Sequence, residues 1–229
     1  IRGKEECGMG KFVEIMKNDR KIKVERYADH IRKMYKGSHR LKTAWKNHVV
    51  LEYMHKNITP SAFYTEIGKG GGYVAMEDLT GRGEELDRYL DRNYDAMDTR
   101  EKRALIHDLS SFFTGAFAWS ILHRDLKACN IFALTRGGFL FLDVEDIRFI
   151  RIKADTLKRA FSQLNNTIPK RISIRDRMRF YLRVLAGLDM TVNRKQLFKD
   201  IAGECRKGEI VYEGVSGLVI EKWDEGTPK

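Results

Sequence analysis

Asp125, Asn130 and Asp143 are the residues of this 229-residue chain whose types and spacing could do chemistry. The first two share a short polar stretch, His123-Arg124-Asp125-Leu126-Lys127-Ala128-Cys129-Asn130, that follows an apolar helical run. The third ends the strand-like run Phe139-Leu140-Phe141-Leu142-Asp143, with Glu145 and Asp146 just beyond it. A carboxylate after four apolar residues suits a buried strand poorly unless its charge is compensated. Phosphoryl transfer would use such a set. It needs a carboxylate to orient an acceptor hydroxyl and take its proton, a metal ion on the phosphates, and fixed cations against developing charge. Asp125 would then be the base and Lys127 a cation near the transferred phosphate. Asn130 and Asp143 would be ligands of Mg²⁺, which prefers a few hard oxygens plus phosphates. The competing reading leaves the acids as solvated turn residues, and His123 and Arg124 brace the loop in either case.

The elements that must position these residues can be read from periodicity. Phe12–Lys17 and residues 21–27 alternate around the turn signal Asn18-Asp19, which predicts a β-hairpin. A basic helix is expected within 38–56, on the recurrence of Leu41, Trp45, Val49 and Tyr53, and Thr59-Pro60 ends it. Residues 73–79 read as a strand between glycine-rich loops. A long helix starts near Thr99, with Leu105, Leu109, Phe112, Phe113, Phe117 and Ile121 at helical spacing. Asp98 or Thr99 can cap it, although Thr99 with Lys102 does not complete a capping box. A second hairpin is expected across 130–145, then a mostly helical stretch over 154–205. We therefore expect an α+β chain with a small strand-rich N-lobe (1–80) and a helical C-lobe (81–229).

Upstream, Gly8 and Gly10 in Gly8-Met9-Gly10-Lys11 could let backbone amides approach a nucleotide's phosphates, or could belong to an ordinary turn. A phosphate-gripping lysine belongs on the following strand. Lys23, which shares a strand face with Glu25, is the candidate, against the alternative of a solvent-facing strand lysine. Its expected ion-pair partner is Glu52, the only acid between Ile31 and Tyr64. Backbone groups near Met76 to Leu79, at Glu77 and Leu79, would hold an adenine.

Composition narrows the partners. With 42% hydrophobic and 10% aromatic residues the chain can build a core, which excludes disordered and fibrous classes. Forty-three Lys+Arg against 32 Asp+Glu give a formal charge of +11, which points to an anionic partner. The cations cluster between Ile31 and Leu51 and again from Arg148 to Arg183, while Glu77–Asp98 is acid-rich. Three dispersed cysteines predict no disulfide framework and a reducing, cytoplasmic compartment. No apolar run approaches the ~20 residues that span a bilayer, and no signal-peptide pattern is visible. The chain begins with Ile1, so we expect the native start to lie upstream.

The run His-Arg-Asp-Leu-x-x-x-Asn at 123–130 matches every fixed position of the protein-kinase catalytic loop. Together with residues 22–27, the basic segment 38–54 ahead of Asn57-Ile58-Thr59-Pro60, the run 139–149 and the basic segment around 171–185, the chain resembles the lipopolysaccharide core kinases. These bacterial enzymes phosphorylate heptose or 3-deoxy-D-manno-octulosonic acid (Kdo). The resemblance implies a two-lobed kinase-like fold and ATP with Mg²⁺ as cofactors. It implies Asp125 as base, Asn130 and Asp143 as metal ligands, and Lys23 with Glu52 at the α/β-phosphates. Many members carry Lys directly before the Arg-aromatic pair, where this chain has Glu25. Asp143 opens Asp-Val-Glu-Asp and not Asp-Phe-Gly, and no Ala-Pro-Glu follows. No activation segment is thus recognisable to hold a peptide, which favours a small-molecule or glycolipid acceptor. An anionic glycolipid would give the basic stretches a use, with peripheral contact at the inner membrane's cytoplasmic face. Kinases of other substrates, and a pseudokinase or basic binding module, remain competing readings. Nucleic-acid binding is not expected, because no recognised motif accompanies the basic runs.

Overall fold

A computed structural model describes residues 10–20, 22–188, 190 and 192–223. Gly8 lies outside them. The chain divides into two compact units, Ile1–Thr80 and Gly81–Lys229.

The first unit is a five-stranded antiparallel sheet with one helix: β1 (Phe12–Asn18), β2 (Ile22–Tyr27), β3 (Ile31–Lys36), α1 (Ser38–Tyr53), β4 (Ala62–Gly68) and β5 (Gly71–Met76). The strand order is β1-β2-β3-β5-β4. The β1–β2 hairpin closes where expected because the Asp19 carboxylate accepts the Ile22 N–H at 2.7 Å, satisfying the turn locally. Its inner face carries Ile22, Tyr35, Val74 and Met76 against Leu41 and Ala44 of α1. The buried stripe of α1 is Leu41, Ala44, Asn47, His48 and Leu51. It is not the expected row through Val49 and Tyr53, which are 45% and 85% exposed. The last strand stops at Met76 and does not run to Leu79. Beyond it the Glu77 N–H turns to Ser61 O, and the Asp78 carboxylate caps the Thr80 N–H at 2.8 Å.

The second unit comprises β6 (Gly83–Glu85), α2 (Leu86–Asn93), α3 (Thr99–Ala118), β7 (Ile121–His123), β8 (Ile131–Leu134), β9 (Phe139–Phe141), β10 (Ile147–Phe149), α4 (Ala154–Asn165), α5 (Ile174–Gly187), α6 (Arg194–Cys205), β11 (Glu209–Gly214) and β12 (Gly217–Lys222). Asp98 caps α3 and forms a full capping box with Glu101: its side chain takes the Arg100 and Glu101 N–H groups while Glu101 takes its own. Of the two expected caps it is therefore Asp98, with Glu101 at the third helical position, that closes the box. Buried α3 and β9 meet through Phe113 and Phe141, whose rings pack edge-on at 5.9 Å. This clamp fixes the strand that leads to Asp143. The β11–β12 hairpin after Gly208 is tethered to α2 by carboxylates: Asp87 accepts the Glu213 N–H and Asp91 the Val215 N–H. Among the described residues no helix is long and apolar enough to cross a membrane.

Candidate functional site

The catalytic-loop residues lie between β7 and β8, with Ala128–Asn130 wound into one 3-10 turn. Side chains from the helical side hold the loop open: Gln163 Oε1 accepts the Leu126 N–H at 3.2 Å, and Thr167 Oγ1 accepts the Ala128 N–H at 2.9 Å. The Asn130 amide NH₂ donates to Asp125 O at 2.8 Å and lies 3.4 Å from Asp125 Oδ2. That fixes its flip, because a carbonyl oxygen can only accept. Among the described residues, Asn130 Oδ1 then meets nothing stronger than the Cys129 thiol at 3.9 Å. Lys127 Nζ sits 3.2 Å from Asp125 Oδ1, with both side chains well exposed.

The segment at Asp143 is locked to the loop from below. The Leu142 N–H donates to Asn130 O at 2.9 Å, so the metal-ligand candidates stand at one end of the β8–β9 pair. His123, 1% exposed, donates from Nε2 to Leu142 O at 2.9 Å. The bracing role expected of it is what the geometry provides. Asp143 itself adopts the left-handed conformation, φ 46° and ψ 55°. Aspartate is among the few non-glycine residues that adopt this conformation readily, and the surrounding structure maintains it here. Arg124 reaches Asp146 Oδ1 at 2.7 Å while its N–H donates to Asp146 O. The Cys129 thiol is pushed up to about 11, first by burial and further by the carboxylates of Asp87, Asp125 and Asp143. Three acids therefore converge around the 3-10 turn.

Does this set suit a divalent cation? Among the described residues no three His, Cys, Asp or Glu side chains form a ready cage. Mg²⁺ does not ask for one: one carboxylate, one amide oxygen and substrate phosphates are its usual company. The freed Asn130 Oδ1 beside the Asp143 segment fits that donor set.

The upstream candidates fall differently. Lys23 lies on the outer face of β2 and its Nζ is 2.5 Å from Glu25 Oε1. That pair holds the Glu25 carboxyl below its ordinary range, with the Lys23 hydrogen bond as the leading cause. The expected Lys23–Glu52 pair is not formed, because Glu52 is on the exposed face of α1. Lysine and acid instead meet at i and i+2 along one strand. Gly10 precedes β1 and packs on Asp29, where an added Cβ would come 2.0 Å from Oδ1. It stands at the β2–β3 end of the sheet, away from the β1–β2 turn at Asn18 and Asp19. Leu79 is buried and Glu77 follows β5 directly.

A further lysine lies on the inner face of the sheet. Lys33, 7% exposed, occupies β3 on the inner face, registered between Val24 of β2 and Val74 of β5. A buried ammonium is retained only where negative charge meets it. The signal was the alternation Ile31, Lys33, Tyr35, hidden by cations on the opposite face at Arg32 and Lys36. Beside Lys33 stands His48 of α1, 6% exposed, held to about 4 by burial and by the Lys33 charge.

Against known proteins, no family model and no curated protein matches the sequence. Solved structures do match. WaaP in complex with acyl carrier protein aligns with a TM-score of 0.62 at 15% identity, over 85% of this chain and 84% of that one. The chain shares the fold of WaaP. WbdD, co-crystallised with the kinase inhibitor LY294002, aligns at a TM-score of 0.55 and 14% identity over 84% of this chain. This chain spans 45% of the length of WbdD. At such identities the likeness is one of fold, and it meets the two-lobed α+β expectation.

Proposed function

We propose that the protein is an ATP-dependent kinase that transfers a γ-phosphate to a sugar hydroxyl of lipopolysaccharide inner core, heptose or Kdo. The observation that carries this reading is the amide of Asn130. Its NH₂ is spent on Asp125, so its oxygen is left for a cation beside a left-handed Asp143. Asp125 orients the acceptor hydroxyl and takes its proton; Asn130 and Asp143 hold Mg²⁺, which offsets phosphate charge when bound. Lys127 screens the transferred group. Its ion pair with Asp125 is exposed and therefore worth under about 1 kcal/mol, so an incoming hydroxyl displaces it readily. Lys33 grips the α/β-phosphates in place of Lys23, which is committed to Glu25. Backbone groups of Glu77 and Leu79 hold the adenine. The acceptor is an anionic glycolipid met at the cytoplasmic face of the inner membrane, consistent with the +11 charge.

Transfer of radiolabelled γ-phosphate to purified core oligosaccharide tests the reading. Wild type should label the sugar, and Asp125→Ala should retain nucleotide but lose about 10²–10⁴-fold in rate. Equal transfer by both proteins would remove Asp125 from the role. Preferential labelling of a peptide would redirect the reading to another kinase class.

A further inference from the structure

The outward face of α5 has a composition that packing does not explain. Its inner face is fixed in the helical core: Val184 and Leu185 are buried, and the Phe180 ring packs on Phe113 at 5.4 Å. The helix cannot rotate about its axis, so what it shows to solvent is set. That surface carries Ile174, Met178 and Leu182, which are 58%, 36% and 39% exposed. The i, i+4, i+8 spacing makes them a continuous ridge about 12 Å long. One residue after each stands an exposed arginine: Arg175, Arg179 and Arg183. Arg179 is held by the buried carboxylate of Asp176 at 2.6 Å. Arg175 and Arg183 take no acidic partner among the described residues. A soluble surface helix would place polar residues along this row. An apolar ridge flanked by unpaired guanidinium groups is instead the pattern of a helix lying in a lipid headgroup region, with arginine stems along the acyl boundary and charges at the phosphates.

We propose that α5 is a docking face for an anionic bilayer, with Ile174, Met178 and Leu182 entering the headgroup layer and Arg175 and Arg183 bound to lipid phosphates. The charge sign selects the occupant: a neutral bilayer would leave the arginines without counter-charge. The inference deepens the glycolipid-kinase reading and rests on it only for its purpose, not for its geometry.

The test is flotation of the full chain with phosphatidylcholine vesicles, with and without 30% phosphatidylglycerol. Wild type should partition to the anionic vesicles at least tenfold more strongly than to neutral ones, and high salt should reverse this. Each arginine near an anionic surface contributes about 1 kcal/mol, so Arg175→Gln with Arg183→Gln should weaken partition about 30-fold. Met178→Ser with Leu182→Ser should weaken it comparably at unchanged salt slope. Both are surface changes, and unaltered thermal unfolding would show that the fold persists. Equal partition by wild type and both variants overturns the proposal. So does absence of vesicle binding together with tight binding to an acidic protein, which would make the stripe a protein interface. Phosphotransfer to delipidated oligosaccharide should be the same in wild type and variants, while transfer to vesicle-borne acceptor should fall in the variants. Loss of soluble transfer in wild type would sink the kinase reading and leave the docking face standing.

Discussion

At the residue scale, the site depends on atoms committed elsewhere so that others are left to act. Asp143 offers a clean probe because its backbone is left-handed, a conformation Asn tolerates and Ala does not. Asp143→Asn should therefore keep the fold and lose most Mg²⁺-dependent turnover. A metal titration of activity should move to much higher concentration or vanish, with unfolding unchanged. The two lysines separate equally well. Lys33→Met, which keeps the stem volume in its buried slot, should raise the KM for ATP tenfold or more. Lys23→Gln should change it less than twofold. If the order of effects is reversed in steady-state kinetics, the phosphate grip belongs to β2 after all. Glu25 sits on the outer face of β2, paired with Lys23.

At the scale of elements, α1 and α2 respond oppositely to acid. His48 of α1 has an ordinary value of 6.5 and is lowered to about 4 in the fold. Between those values the unfolded chain binds the extra proton, so its contribution to stability is present above about 6.5 and lost as pH falls toward 4. The loss in the first unit should reach about 3 kcal/mol at the acid end. Asp87 of α2 is raised from 3.8 to about 6 by burial, against the backbone N–H groups that it accepts. There the folded state holds the proton, and stability is lost as pH rises from about 4 to 6. Hydrogen exchange followed from pH 7 to 4 should show α1 and β3 losing protection as α2 and the β11–β12 hairpin gain it. His48→Gln should flatten the first trend only; an unchanged acid limb in that variant would assign the effect elsewhere. The same scale explains why Asp98 and not Thr99 caps α3, and why α1 buries a row other than the one through Val49 and Tyr53. Local patterns identified both helices, but which residue caps and which row is buried depended on a neighbour one position away and on the sheet beneath.

For the whole molecule, binding of Mg·ATP is a stability statement. At 100 times its dissociation constant the nucleotide should stabilise the protein by about 2.7 kcal/mol, or roughly 5–10 °C in melting temperature for a chain of this length. No shift at millimolar Mg·ATP would favour a pseudokinase or basic binding module. Metal alone should shift little, because the Asn130 and Asp143 oxygens complete a coordination shell only with phosphates present.

The sequence by itself determined the polar loop 123–130, the acid just beyond β9, the α+β order of elements and the excess of positive charge. These are legible because their signals are local: a fixed spacing, a period of 2 or 3.6, a composition. Only the tertiary structure decided that Lys33 and not Lys23 is buried, that Glu52 faces solvent, that Gly10 stands away from the β1–β2 turn and that α5 turns an apolar ridge outward. Each of these is a question of which face meets a partner distant in the chain. Strand register across β2, β3 and β5, and the seating of α1 and α5, settle it through burial, and no short window of sequence contains that information.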